Sequence, residues 1–269
     1  MKQKLIINLL LFSSICANAH FDFNFGSQFR SYPMFGGEFY IDTGYNFLLW
    51  GSAGSGGGKQ GGSVNPFYGF IRPNFGAATS FVVNSYQTEL QVFPISILGV
   101  VFGQKNLKSD FDFPFFDCEE IICKGESRHT YTTYKLAMGF WRINLVTLFR
   151  RNRIDALTAS DSDLSIEDNY YGDFRRATAI GPEVDEEENT VNLIGLKFDS
   201  FLLGHYYDQS VYLTSEQKSV TNLIIVQKKY GKHEFTVGGG QMESTYLEKS
   251  DQIFVFRWKM NYIPSLSLF

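Results

Sequence analysis

Apolar residues return at every second position along most of this chain. Near the C-terminal end Phe254, Phe256, Trp258, Met260 and Tyr262 alternate with Arg257, Lys259 and Asn261. Successive side chains of a β-strand point to opposite faces, so this segment presents one greasy face and one wet face. The same period sets Phe39, Ile41, Thr43, Tyr45, Phe47 and Leu49 against Glu38, Tyr40, Asp42, Gly44 and Asn46. It sets Val82, Tyr86, Thr88, Leu90 and Val92 against Ser85, Gln87, Glu89 and Gln91. Shorter versions run through Phe21 to Phe25, Tyr134 to Phe140, Ile143 to Phe149 and Glu234 to Gly240. No long stretch carries the 3.6-residue period of an amphipathic helix. The pattern predicts an all-β protein of about twelve antiparallel strands, roughly ten to fourteen given the ambiguous stretches 66–80 and 201–217.

Alternation alone fits a soluble periplasmic β-sandwich as well as a membrane barrel, so the contents of the two faces decide. The apolar sets are rich in large aromatics, and the opposite sets carry charges in mid-strand, as a watery lumen would. Composition strengthens this: 17% of residues are aromatic, with 27 Phe and 15 Tyr, enough to furnish interfacial girdles. A transmembrane up-and-down β-barrel also satisfies every backbone polar group without water. Tight connections are expected near Phe93-Pro94, Gly139 to Arg142, Asp199-Ser200 and Tyr230 to His233, and long polar ones around 106–127 and 151–190. In such barrels the long loops are extracellular. The Gly-rich run at 51–62 reads as a flexible linker on the opposite, periplasmic side.

The N-terminus adds a compartment. Lys2 and Lys4 precede an apolar run from Leu5 to Ile15, and Ala17-Asn18-Ala19 offers small residues for cleavage. This is a secretory signal over residues 1–19, leaving 20–269 as one barrel domain. Ile15 before Cys16 argues against a lipoprotein signal, which needs a small residue there. In an oxidising compartment the two remaining cysteines, Cys118 and Cys123, are expected to form a disulfide that pins a loop tip. A net charge of -4 and export together exclude nucleic acid as a partner.

With its cleavable leader, its alternating strands and a final aromatic residue, Phe269, the chain resembles Gram-negative outer-membrane β-barrel proteins. The resemblance covers the mature chain at the level of architecture and names no subfamily. It implies residence in the outer membrane, contact with its lipid and lipopolysaccharide, and escort by periplasmic chaperones. It also implies that Phe269 serves as the signal read by the barrel-assembly machinery.

Candidate chemistry is sparse. Strand parity points Glu38, Asp42, Glu89, Lys135, Arg142, Lys197, Arg257 and Lys259 into the lumen, a mixed set suited to internal ion pairs rather than a ring of one sign. His205 stands near Asp208 and Ser210 in GHYYDQS, but on a strand both fall on the face opposite it. The H-x-S-N arrangement of outer-membrane phospholipases does not occur. Asp161, Asp163, Glu167 and Asp168 could offer oxygen ligands to calcium but lack EF-hand spacing, so a solvated acidic loop is expected. No cofactor motif is present. These observations predict a non-enzymatic envelope protein, a small porin-like passive pore or a structural or surface-interaction protein. An outer-membrane hydrolase acting on lipid or peptide is the alternative.

Overall fold

The computed structural model describes residues 19–51, 68–160, 164–246 and 249–263. Twelve strands close into an antiparallel barrel, each paired with its sequence neighbours and the last with the first. They begin with β1 (Ala19–Arg30), β2 (Gly36–Trp50), β3 (Gly69–Thr79), β4 (Val83–Ile95), β5 (Leu98–Ser109), β6 (Gly125–Phe140) and β7 (Ile143–Ala159). After a loop holding the short hairpin β8 (Tyr171–Asp173) and β9 (Thr178–Ile180), the wall resumes. It continues with β10 (Val184–Lys197), β11 (Leu202–Tyr212), β12 (Lys218–Tyr230), β13 (His233–Ser244) and β14 (Lys249–Ile263). Closure removes both sheet edges, which only a barrel achieves.

The predicted faces are the observed ones. Ile41, Leu90, Phe102, Tyr134, Ile194, Ile224, Val237 and Phe254 lie exposed around the outside, while Asp22, Asn24, Asn46, Arg72, Asn152 and Glu187 are buried within. An exterior this apolar is unstable in water and matches a bilayer. At the end of the barrel that carries the chain termini, Phe140, Trp141 and Tyr230 are at least 75% exposed, suited to an interfacial girdle. No helix among the described residues is long and apolar enough to cross a membrane. The protein is a closed barrel of the outer-membrane type.

Several expectations need correction. The loops expected at 106–127 and 151–190 shrink to 110–124 and 160–183, because β5 and β6 run farther than expected and β7 and β10 run well past the apolar belt. Their outward faces become charged there, with Arg151 and Glu188 paired at 2.9 Å, and that polarity conceals continuing strand. Both long loops do lie at the end opposite the termini. Segment 66–80 is ambiguous in sequence because Pro73 stands inside β3. The β2 ladder pairs Gly44 with Asn74 and Phe47 with Ile71 but is interrupted between them, where proline has no N–H to donate. Arg142 does not enter the lumen: it and Trp141 form the two-residue turn between β6 and β7, where Trp141 has φ 52° and the Arg142 guanidinium lies over its ring. Parity counted from Ile143 fails once the ladder stops. In β14 the register against β1 shifts at Tyr262, a bulge just before Pro264. Pro264 and Phe269 lie outside the described residues, as do the signal segment 1–18, most of the Gly-rich run, Asp161 and Asp163.

Candidate functional site: an occluded lumen

Inward glycines make the interior packable. Gly26, Gly99 and Gly103 carry no side chain at points where Tyr40, Phe93 and Tyr131 from the adjacent strands lean across; a Cβ on Gly103 would sit 2.5 Å from the Tyr131 ring. Such aromatic-over-glycine pairs fix register and strand curvature.

Near the termini the β1–β4 side of the lumen carries a packed polar network. Arg72 of β3 reaches Asp22 of β1 with both forks, Nε to Oδ2 at 2.8 Å and Nη2 to Oδ1 at 2.6 Å, and it also pairs with Asp42 of β2. Asn46 donates to Asp22, and Asn74 donates to Asp42 at 2.7 Å, so the two carboxylates sit in a satisfied network. Bidentate geometry and extra donors are what make a buried ion pair tolerable. Beside it Phe70 and Phe93, both fully buried, stack at 4.7 Å. Farther along, Glu89 accepts from the Tyr131 hydroxyl at 2.7 Å and from Gln91 at 2.9 Å, while the Arg150 guanidinium lies 4.4 Å from the Tyr131 ring centroid.

At the opposite end the loops fold inward. The β8–β9 hairpin drops into the barrel mouth, and its turn touches walls on opposite sides. Arg175 meets Glu38 of β2 at 2.8 Å, and Arg176 meets Glu187 of β10 and Asp208 of β11, each at 3.1 Å. Arg30 of β1 donates to the carbonyls of Phe174 and Arg175, at 2.8 and 2.5 Å. Asp173 accepts from the Tyr212 hydroxyl at 2.5 Å. Burial would raise the Asp173 carboxyl, but Arg176 and the Tyr212 hydroxyl outweigh it and hold the group below its ordinary range. Ala177 is fully buried against Leu223, Ile225, Met242 and Ile253.

The other loop seals the hairpin from outside. Phe113 stacks on Phe174 at 5.1 Å, and Phe113 and Phe116 join Val83, Leu107 and Ala179 in one buried cluster. A bridge from Ile122 to Tyr171 joins the two loops. Cys118 and Cys123 are disulfide-bonded, with Cα atoms 5.6 Å apart, and close a tight loop over Glu119 to Ile122 just after the Phe-rich stretch. Asp112 approaches the two sulfurs, the single metal-like grouping among the described residues, but a disulfide offers no thiolate to a metal.

Beneath the hairpin lies a cavity of about 650 Å³. Arg30, Lys105, Arg150, Arg175, Arg176 and Arg257 border it, as do Glu38, Asp173, Glu187 and Asp208. Of the residues expected in the lumen, Glu38 and Arg257 therefore line the cavity, and Asp42 and Glu89 sit in the networks beneath it. Lys135 and Lys259 follow the lumenal parity, Lys259 opposite Glu234 in the ladder, while Lys197 ends β10 at the rim and is exposed. Sequence parity does not reveal Arg30, Lys105, Arg150 or the arginines of the hairpin, because charges on both strand faces or a loop context hide their direction.

One constellation bears on hydrolysis. Ser127 Oγ lies 3.2 Å from His129 Nε2, and His129 Nδ1 lies 3.1 Å from Asn152 Nδ2. This has the spacing of a nucleophile, base and orienting group. Its polarity is wrong for that task. The same Asn152 nitrogen donates to Glu187 at 2.9 Å, which fixes the amide with nitrogen toward His129. The histidine therefore accepts at Nδ1 and carries its proton at Nε2, facing the serine it would have to deprotonate. His205 faces outward, away from the inward Asp208 and Ser210, as parity requires.

No protein-family model matches the chain, and no curated protein matches it. Among solved structures, the KdgM porin is 6% identical, with 90% of this chain and 99% of that one covered, at a TM-score of 0.43. OmpT, an outer membrane protein of Vibrio cholerae, is 8% identical over 91% of this chain and 99% of that one, with a TM-score of 0.42. The beta domain of the Bordetella autotransporter BrkA is 9% identical over 91% of this chain and all of that domain, 100%, with a TM-score of 0.41. At identities this low the likeness carries no functional content.

Proposed function

We propose that this protein is a non-enzymatic, passive pore of the Gram-negative outer membrane, held closed by its own β8–β9 hairpin. The observation that supports this is the way the hairpin is held. Its turn is tied by charge-assisted bonds to four wall strands, beside a cavity of about 650 Å³ lined by both charged and apolar side chains. A purely structural barrel would fill that space with interlocking side chains, as small barrels do. The polar part of this contact can be exchanged for water, so on this reading the hairpin is a displaceable stopper rather than part of the wall.

On this reading the signal over residues 1–19 is cleaved, and Phe269 is presented to the assembly machinery. Lipid and lipopolysaccharide surround the belt. Planar-bilayer recording tests the function. The wild type should show small, infrequent openings, and a variant with residues 171–180 replaced by a short Gly-Ser turn should show larger and more persistent ones. A correctly folded variant, judged by heat-modifiable migration, that passes no current would overturn the pore in favour of a structural or surface-interaction role.

A further inference from the structure

The acidic chain carries a cavity of the other sign. Its formal net charge is -4, yet six basic and four acidic side chains border the cavity. The acids are already engaged: Glu38 with Arg175, Glu187 and Asp208 with Arg176, and Asp173 with the Tyr212 hydroxyl and the Arg175 amide. Four of the cations, Arg30, Lys105, Arg150 and Arg257, have no carboxylate partner among the described residues, and Arg257 donates to the Tyr40 hydroxyl at 3.2 Å. Arg30 bonds only to backbone carbonyls of the hairpin, and Arg150 bonds to the Thr133 hydroxyl at 2.9 Å and lies over Tyr131. Lys105 makes neither a hydrogen bond nor an ion pair, and its charged surroundings are Arg175, Glu38, Arg150 and Asp173.

We infer that the Lys105–Arg150 side of this cavity is a binding site for a small oxyanion, a solute bearing carboxylate or phosphate. Buried like charges that outnumber their counter-ions repel one another, and an anion between them relieves that repulsion while satisfying the open donors. The planar guanidinium of Arg150, held at Nε by Thr133, keeps its terminal nitrogens for such a ligand, and the Lys105 amine adds a further donor whose protonated form a bound anion favours. Tyr131 and His129, which also border the cavity, add polar contacts beside them. As a statement about the transported solute this rests on the pore reading; as a binding site it rests on the cavity alone.

The test uses the full barrel, folded in detergent, and titration calorimetry with citrate and, separately, inorganic phosphate at constant ionic strength. Saturable binding of at least one probe is expected, and which one binds identifies the oxyanion. Lys105→Gln should weaken it about tenfold, while Lys135→Gln, a lumenal cation outside the cavity, should change it less than about twofold. No binding of either probe overturns the site, as does equal weakening by both substitutions. Conductance recorded on the same samples separates the two ideas. Binding without current keeps the site and discards the pore; current without binding or anion preference does the reverse.

Discussion

Arg72 shows what a single residue can hold together in a barrel. It is almost fully buried, and it bridges Asp22 of β1 and Asp42 of β2 from β3. Arg72→Leu would leave Asp22 charged and enclosed, so urea unfolding in lipid vesicles should show a loss of about 3–5 kcal/mol. A loss below about 1 kcal/mol would mean that water reaches the network. Asp173 makes the corresponding prediction for pH. Its folded carboxyl titrates below the unfolded one, so its contribution is complete above the ordinary carboxylate range, near about pH 4, and fades as pH falls through the lowered value. Hairpin docking should therefore be insensitive to pH from neutrality to about pH 5 and weaken only in stronger acid, read as amide exchange of Thr178–Ile180. Release between pH 7 and 5 would rule Asp173 out as the controlling group. At this scale sequence parity is a good guide where one face is apolar, which is why Glu38, Asp42, Glu89 and Arg257 could be placed. It is silent where both faces are charged: Arg150 lies in the run Arg150-Arg151-Asn152-Arg153, and only the ladder shows which members turn inward.

The strands were legible because lipid imposes a continuous chemical contrast along each of them. The two inward loops impose none. Their fold depends on contacts far apart in sequence, such as Arg30 with the carbonyl of Arg175, 145 residues away. The hairpin β8–β9 has only three residues in each strand, too short to be stable alone, so its order is borrowed from the barrel wall. Arg176→Gln removes the cation shared by Glu187 and Asp208 and leaves two wall carboxylates facing each other. Amide exchange at Thr178–Ile180 should accelerate at least about tenfold, corresponding to roughly 1.4 kcal/mol or more, while β10 and β11 keep their protection. Parallel loss of protection in the wall strands would show instead that hairpin and barrel form one cooperative unit.

For the whole molecule, the arrangement of its faces assigns each a different solvent. The outward face supplies the energy of insertion, the inward face supplies a sparsely packed polar interior, and the loops decide whether that interior meets the outside. The height of the belt is a measurable property of this arrangement. Outward positions from Phe102, Ile224 and Val237 near the middle of their strands to Arg151 and Arg153 above the belt sample it from centre to rim. Arginine substitution at Ile224 should cost about 2–4 kcal/mol in urea unfolding from vesicles, falling to about 0–1 kcal/mol at Thr190 or Gln209, which stand nearer the loop end. A profile peaking at the centre fixes the bilayer midplane on the barrel, and with it the depth of the cavity beneath the hairpin. A flat profile would mean that the aromatic exterior packs against protein instead of lipid, which would remove the membrane from the argument and the pore with it.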